Sequence, residues 1–154
     1  MTAAAAAVSV FSPASFAADE LNVGPGRTAA GGGVALHGYD PVAYFTMRKP
    51  TRGLPQFETR QGDATYRFAS KANQDAFAKS PAKYEPQYGG FCAYGVSVNK
   101  KFDGDPLNWT VSGDKLYLNL SPEIQTKFRK DLGGNIAKAT DNWTNIEHSA
   151  ANSL

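Results

Sequence analysis

The sequence predicts an α+β domain in which a small antiparallel sheet of hairpins packs against helices. Two observations carry this prediction. Short β-prone segments are paired across Gly-Asp turns, and each pair precedes a Ser-capped segment with the apolar spacing of an amphipathic helix. With 154 residues, of which 42% are hydrophobic, the chain is long enough for one core of ordinary size. We therefore expect one domain.

The first hairpin-helix unit turns at residues 61–63. Tyr66 and Phe68 are two positions apart and therefore lie on one face of the second strand. Ser70 has the residue type and position of a helix cap, and Pro81 ends the apolar helix stripe that follows it. The segment is predicted to fold as strand, turn, strand and helix.

The second unit has the same order and turns at residues 112–114. Its second strand carries leucines at alternate positions, which are Leu116, Leu118 and Leu120. Ser121 is the predicted helix cap, and Pro122 suits the first helical position because its missing N–H has no partner there anyway. A second hairpin followed by a second helix is therefore expected.

The two units also match residue by residue at one fixed spacing. Six residue types recur 51 positions apart, in the pairs Gly62/Gly113, Asp63/Asp114, Tyr66/Tyr117, Ser70/Ser121, Gln74/Gln125 and Phe77/Phe128. This spacing predicts two copies of one β-hairpin-helix unit within a single core. The alternative is that any turn, strand and Ser-capped helix reuses the same residue types.

The domain is predicted to span residues 34–143. Residues 18–33 are rich in Gly and Ala and are expected to form a linker. An extended segment is expected at 42–46, after the turn that Pro41 favours. A short amphipathic helix closes the domain, and residues 144–154, which include a histidine, are expected to be a disordered tail.

The first 17 residues have features of a secretory signal peptide. An Ala-rich apolar run precedes Ser15-Phe16-Ala17, which has the small-x-small form of a cleavage site. No Lys or Arg precedes Arg27, so the basic part of such a peptide is missing and the segment is interpreted as a remnant. The run is shorter than the roughly 20 apolar residues of a membrane span. We expect a periplasmic or secreted protein without a membrane span.

Charge and motifs exclude several classes of function. The 16 basic and 14 acidic residues give a net charge of +2, without a polybasic run that would follow nucleic acid or an anionic membrane. The sequence contains no GxSxG, phosphate-binding loop or HExxH motif. No organic cofactor is predicted, and the sequence favours a binding protein over an enzyme.

Cys92 is the only cysteine and follows Gly89-Gly90. In an oxidising compartment an odd cysteine indicates a free thiol, a metal ligand or an intermolecular bridge. If a helix begins just after the glycines, its free amides and dipole lower the pKa of the thiol and favour the thiolate. The alternative is that Cys92 is a small buried hydrophobic residue between Phe91 and Ala93.

His37 and Asp40 are the candidate neighbours of Cys92. His37 lies beside the turn that contains Asp40, and this turn could face the Cys92 loop only through the fold. A thiolate, an imidazole and an oxygen donor would suit copper or zinc. The predicted metal ligands are therefore Cys92, His37 and Asp40, while a lone histidine is also common as a hydrogen-bonded structural residue.

The segment from Gly62 to Gly90 resembles the YHS domain. The shared pattern is a Gly turn, a Tyr-x-Phe strand, a Ser-led helix ending in Phe, and Pro-x-Lys-Tyr, carried here by Gly62, Tyr66, Phe68, Ser70, Phe77, Pro81, Lys83 and Tyr84. With "GYDPVAYF" before it and "YGGFCAYGV" after it, the chain is similar to the exported YHS domain-containing (seleno)protein family over roughly residues 34–143.

This resemblance implies a functional role for Cys92. Some members of the exported group have selenocysteine at the matching position, which implies redox or soft-metal chemistry. YHS domains of copper-transporting ATPases carry metal-binding cysteines, but Ala69 and Asn73 stand where one such pair would fall. The resemblance thus implies a metal-handling or redox protein without the usual cysteine pairs.

Three functions follow for the chain. The first is a soft-metal, copper-type binding module centred on Cys92, with His37 and Asp40 as further ligands. The second is a thiol redox protein in which Cys92 is the nucleophile and an external thiol resolves the product. The third is a non-catalytic interaction domain with Cys92 buried. The expected partner is a metal ion or a periplasmic protein that handles thiols or metals.

Overall fold

The computed structural model describes residues 20–24 and 33–154. The predicted signal peptide remnant, residues 1–17, lies outside these ranges, as do most residues of the predicted linker. The elements in chain order are β1 (Val23–Gly24), β2 (Gly33–Ala35), α1 (Ala43–Thr46), β3 (Leu54–Gln61), β4 (Ala64–Phe68), α2 (Lys71–Lys79), α3 (Pro81–Tyr84), α4 (Ala93–Ser97), β5 (Asp105–Ser112), β6 (Lys115–Asn119), α5 (Pro122–Lys130) and α6 (Leu132–Ile146).

The strands form two small sheets, and the predicted α+β class is confirmed. The first sheet has the order β1-β2-β4-β3, and the second consists of β5 and β6. The hairpins β3-β4 and β5-β6 are antiparallel as predicted, but β2 runs parallel to β4. The parallel pair was not predicted, because β2 is only three residues long and shows too few positions for a period of two.

The two hairpin-helix units are copies of one another in the structure. Every strand and helix boundary of β3, β4 and α2 recurs 51 residues later in β5, β6 and α5. The pairing register recurs as well, including an irregularity near the start of each hairpin. The predicted duplication of the β-hairpin-helix unit is therefore confirmed at the level of strand register.

The same side-chain contacts stabilise both copies. Ser70 Oγ accepts the N–H of Asn73 at 3.2 Å, and Ser121 Oγ accepts the N–H of Ile124 at 3.3 Å. Two further contacts recur at the same spacing. Gln74 Nε2 donates to the Glu58 carbonyl, as Gln125 Nε2 donates to the Trp109 carbonyl. The rings of Tyr66 and Phe77 are in contact, as are those of Tyr117 and Phe128. The matched residues in the sequence are thus the residues that make the same bonds.

The duplication extends upstream of the hairpins, which the sequence comparison missed. Each copy begins with three residues in the left-handed region, Leu36–Gly38 with φ of 52°, 49° and 83°, and Tyr88–Gly90 with φ of 55°, 61° and 84°. A short helix follows each turn, as α1 and α4. The two turns are 52 residues apart, so a comparison at a fixed spacing of 51 does not align them.

Two buried clusters form the core. One contains the aromatic side chains of the first copy, including Tyr44, Phe68 and Phe77, together with leucines of β6. The other lies between the second copy and α6 and contains Tyr117 and Phe128. Because leucines of β6 pack into the first cluster, the two copies share their apolar interior and form one unit.

Three local predictions are corrected by the structure. Residues 43–46 are helical because the carboxylate of Asp40 caps the segment after Pro41. Within the predicted linker, Val23–Gly24 pairs with β2. The predicted disordered tail is ordered, since α6 continues to Ile146 and the Lys101 ammonium donates to the carbonyls of Glu147 and Ser149 beyond it.

The serine caps give a first test of the duplication. Ser70→Ala and Ser121→Ala should each lower the free energy of unfolding by about 1 kcal/mol, because each removes the acceptor of one helix N-terminal amide. Chemical denaturation measures the loss. Ser80→Ala is the matched control, since Ser80 is exposed and makes no side-chain cap. An equal loss in Ser80→Ala would contradict the capping role, and clearly unequal losses in Ser70→Ala and Ser121→Ala would contradict the equivalence of the caps.

Candidate functional site

Asp40 is completely buried, and both of its carboxylate oxygens accept hydrogen bonds. Oδ1 accepts the N–H groups of Val42 at 2.8 Å and Ala43 at 3.3 Å. Oδ2 accepts the N–H of Ala69 at 2.8 Å and Nδ2 of Asn73 at 2.7 Å. The carboxylate therefore joins the start of α1 to the link between β4 and α2, and four donors stabilise its charge.

Cys92 is also completely buried and caps a short helix in the same way. Its sulfur accepts the N–H groups of Gly95 at 3.4 Å and Leu120 at 3.3 Å. Its S–H lies 3.7 Å from Oδ1 of Asn119, to which it donates. Asn119 Oδ1 also accepts the Tyr94 N–H at 3.2 Å, so the amide is held with its oxygen towards the sulfur.

Asp40 and Cys92 occupy equivalent places in the two copies. Each accepts a hydrogen bond from the N–H of the third residue after it, which is Ala43 or Gly95. Each also accepts a hydrogen bond from the N–H of the residue that links hairpin to helix, which is Ala69 or Leu120. Their own N–H groups also have equivalent acceptors, since Asp40 donates to the Thr51 carbonyl and Cys92 to the Phe102 carbonyl. A thiol in the second copy thus takes the structural place of a carboxylate.

Burial raises the pKa of the Cys92 thiol above its ordinary value. The amides of Gly95, Leu120 and Tyr94 act in the opposite direction, and the negative charge of Asp103 adds to the increase. The sequence correctly predicts a helix that begins just after the glycines, at Ala93. The expected lowering of the thiol pKa is wrong, because loss of solvent around a buried sulfur outweighs the amides of one short turn.

An asparagine faces each of the two buried side chains, but one donates a hydrogen bond and the other accepts one. Asn73 presents N–H groups to Asp40, as a carboxylate requires, whereas Asn119 presents a carbonyl oxygen to Cys92. An acceptor atom at this position stabilises a protonated sulfur, which can donate, and disfavours a thiolate, which cannot. Asn119 Nδ2 is itself buried without a partner in the described part of the chain.

His37 lies at the surface rather than beside Cys92. Its Nε2 is 2.9 Å from Oδ1 of Asp103, and its side chain is 43% exposed. Within residues 20–24 and 33–154, no hydrogen bond or ion pair joins His37 to Cys92 or to Asp40. His37 has a φ of 49°, which is rare for a residue with a side chain and costs of order 1–3 kcal/mol.

The predicted ligands Cys92, His37 and Asp40 are not assembled into one metal centre. Over the described ranges of the chain, no three His, Cys, Asp or Glu side chains form a group that could hold a metal ion. The two buried acceptors are engaged by amides of their own copies, and His37 is on the outer side of its turn. Metal binding by Cys92 stays a prediction.

A surface cleft lies beside His37 and has a volume of about 530 Å³. Its polar wall is formed by Asn22, His37, Arg67 and Asp103, and its apolar wall by Val23 and Val34 with Gly24. The sequence analysis selected only His37 among these residues. Of the other polar residues, Asn22 lies in the predicted linker, Arg67 lies on the outer face of a predicted strand, and Asp103 lies in a segment without a predicted helix or strand, and a single charged or amide residue in these places carries no motif.

Comparisons with protein-family models, with curated proteins and with solved structures found no match to this chain. The resemblance to the YHS domain therefore depends on the motif residues alone. Among the helices of the described ranges, none has the length and apolar character that crossing a membrane requires.

The role of Asp40 can be tested by stability. Asp40→Ala should lower the free energy of unfolding by at least about 3 kcal/mol, because it leaves buried amide donors of α1 and of Ala69 without an acceptor. Asp40→Asn keeps one acceptor oxygen and should lose less. Denaturant titration measures both. Asp75→Ala, which removes an exposed carboxylate paired with Lys71, should change stability by no more than about 0.5 kcal/mol.

Proposed function

We propose that this protein is a binding domain in which Cys92 has a structural role. The observation that carries this proposal is the equivalence of Cys92 with Asp40. Each side chain accepts hydrogen bonds from an amide of a short helix and from an amide of the hairpin-helix link, and so connects the two. Of the three functions that the sequence leaves open, the geometry supports the interaction domain best.

The environment of the sulfur supports this choice. A soft metal or a disulfide reacts with the thiolate, whereas Asn119 Oδ1 faces the sulfur as an acceptor and burial raises the pKa of the thiol. Coordination would also require the bonds from Gly95 and Leu120 to be shared or broken. The protonated thiol is the form that this pocket stabilises.

The accessible polar groups support a binding role elsewhere on the surface. His37, Arg67 and Asp103 converge in one cleft, and His37 is held there in a strained backbone conformation. Strained residues are concentrated at ligand sites, where the surrounding structure maintains them. A concave site of about 530 Å³ is within the range that small molecules use.

A soft-metal site at Cys92 is the second candidate. It is favoured by the amides that point to the sulfur, since N–H donors stabilise a thiolate once it forms. In this candidate, local opening of α4 would expose the sulfur to copper or zinc. The copper titration described below decides between the two functions.

We further propose, on the motif residues, that the chain belongs to the exported YHS domain-containing group and acts in the periplasm or outside the cell. The motif residues Tyr66, Phe68, Ser70 and Phe77 support this because they form β4 and α2 with a capped helix start and buried rings. N-terminal sequencing of the protein recovered from its native cells, after fractionation, tests the export, with Ala18 as the expected first residue.

Truncation of the thiol tests its structural role. Cys92→Ala should lower the free energy of unfolding by about 3 kcal/mol, because a cavity forms and the amides of Gly95 and Leu120 lose their acceptor. Cys92→Ser keeps an acceptor and a donor at this position and should lose less. Denaturant titration measures both variants. A Cys92→Ala protein as stable as the wild type would contradict a structural role.

Reactivity of the thiol tests the proposal directly. Iodoacetamide should modify native Cys92 at least about 100-fold more slowly than the denatured chain at pH 8.5, where an ordinary thiol is half ionised. Copper(I) titration should give the same affinity for the wild type and Cys92→Ser. Fast alkylation, or a copper site lost in Cys92→Ser, would overturn the structural assignment in favour of the thiol or metal functions.

The raised pKa also predicts how stability depends on pH. The unfolded thiol ionises near pH 8.5, before the folded one, so the stability that the protonated thiol contributes is complete below this pH and is lost as pH rises above it. The wild type should therefore lose more unfolding free energy than Cys92→Ser between about pH 8 and pH 10. Denaturant titrations across this range measure the difference.

A further inference from the structure

The cleft beside His37 combines both signs of charge with an apolar surface. Arg67 supplies a guanidinium and Asp103 a carboxylate, while Val23 and Val34 form an apolar wall. A cleft with few polar groups on an apolar surface is the usual form of a small-molecule site. The polar atoms of these residues that are not bonded to other described residues determine which type of ligand can bind.

A chain of hydrogen bonds fixes the carboxylate side of the cleft. Asn22 Nδ2 donates to the Gly90 carbonyl at 3.1 Å and to Asp103 Oδ1 at 2.7 Å, and His37 Nε2 meets the same oxygen at 2.9 Å. These residues come from three distant parts of the sequence. The bonds hold Asp103 through Oδ1, and within residues 20–24 and 33–154 its Oδ2 accepts no hydrogen bond and can therefore meet a ligand.

The guanidinium side of the cleft is fixed in a similar way. Arg67 Nε donates to Glu58 Oε1 at 2.8 Å, and the Glu58 side chain is only 8% exposed. The Nη1 atom lies beside the turn at Gly38, next to His37. This bond orients the guanidinium, and no other described residue bonds to its Nη groups, which suit a carboxylate and can therefore meet a ligand.

Comparison of the two copies shows that these side chains are not part of the architecture that the copies share. Arg67 corresponds to Leu118 of the second copy, which is a core residue, and His37 corresponds to Gly89. Both copies form the same turn, hairpin and helix in spite of these differences. The charged residues of the first copy therefore serve something other than the shared architecture.

We propose that this cleft binds a small zwitterion with an apolar side chain, of which a free branched amino acid is the simplest case. The ligand carboxylate pairs with the Nη groups of Arg67, and its ammonium pairs with Oδ2 of Asp103. The apolar side chain packs on Val23 and Val34. This inference rests on the proposed binding function and gives it a site and a ligand class.

Charge complementarity favours a zwitterion over simpler ions. An anion without an ammonium group would approach the Asp103 carboxylate without a donor for it, and a cation without a carboxylate would approach the Arg67 guanidinium without an acceptor for it. Either ligand would use only one of the two charged groups and would lie against the other without a matching hydrogen bond, which lowers its affinity relative to a ligand that pairs with both. The zwitterion satisfies both groups at once.

The test compares leucine with its two halves on the intact protein. Leucine, 4-methylpentanoate and 3-methylbutan-1-amine are titrated separately while two-dimensional NMR follows the backbone amides. Leucine should shift the signals of Val23, Val34, His37 and Asp103 in a saturable way. Each of the other two compounds lacks one of the two charges and should bind at least about ten-fold more weakly than leucine.

Variants assign the two charges. Arg67→Gln and Asp103→Asn should each weaken leucine binding by about ten-fold or more, and Asp103→Asn keeps an oxygen for Asn22 and His37. Arg60→Gln is the matched control, because Arg60 is an exposed arginine that bonds at the hairpin turn outside the cleft. The NMR spectrum of each variant also reports whether it is folded.

Several outcomes would overturn the site. Leucine could leave the cleft signals unchanged, 4-methylpentanoate could bind as tightly as leucine, or Arg60→Gln could weaken binding as much as Arg67→Gln. With an unreactive Cys92 and no thiol-dependent copper site, such outcomes reject this cleft and leave the structural role of the thiol intact. A reactive or copper-binding Cys92 rejects the proposed function, whatever the cleft binds.

Discussion

The structure depends on a buried acceptor that collects backbone amides at one place in each copy. Where the left-handed turn enters a short helix, the first helical amides and the amide of the hairpin-helix link all point inwards and cannot reach water. Buried amides without partners are costly, so one side chain must satisfy them. Asp40 does so in the first copy and Cys92 in the second. In each copy these hydrogen bonds connect the short helix to the hairpin and helix that follow it.

The two acceptors reach the same geometry through different electrostatics. A carboxylate brings a full charge into the core, and Asn73 adds a fourth donor that offsets the cost of desolvation. A thiol brings no charge, and its proton needs an acceptor, which Asn119 supplies. The residue equivalent to Asn119 in the first copy is Phe68, a core ring. The second copy therefore has a polar contact where the first has an apolar one, and this contact suits a neutral sulfur.

The sequence predicted what depends on local patterns, and it missed what depends on contacts across the chain. Turn residues, alternating strands and Ser caps are local, so both hairpin-helix units were found. The equivalence of Asp40 with Cys92 was missed because the two residues share neither type nor spacing with the matched pairs. The thiol pKa was predicted from the helix start alone, whereas burial, which only the fold determines, has the larger effect. Likewise, Asp103 and Arg67 meet only after folding.

The N-terminal segment explains why two equivalent turns differ in what they offer to a ligand. Asn22 N–H donates to the Gly89 carbonyl at 2.9 Å, and a side chain at Gly89 would overlap the Glu20 carbonyl. The turn of the second copy is thus covered and must keep glycine. At the first copy the same segment passes to one side and forms a wall, so His37 can carry a side chain, and no other described residue fills the space beside it. Residues 20–24 therefore cover one turn and, through Asn22, form part of the cleft at the other.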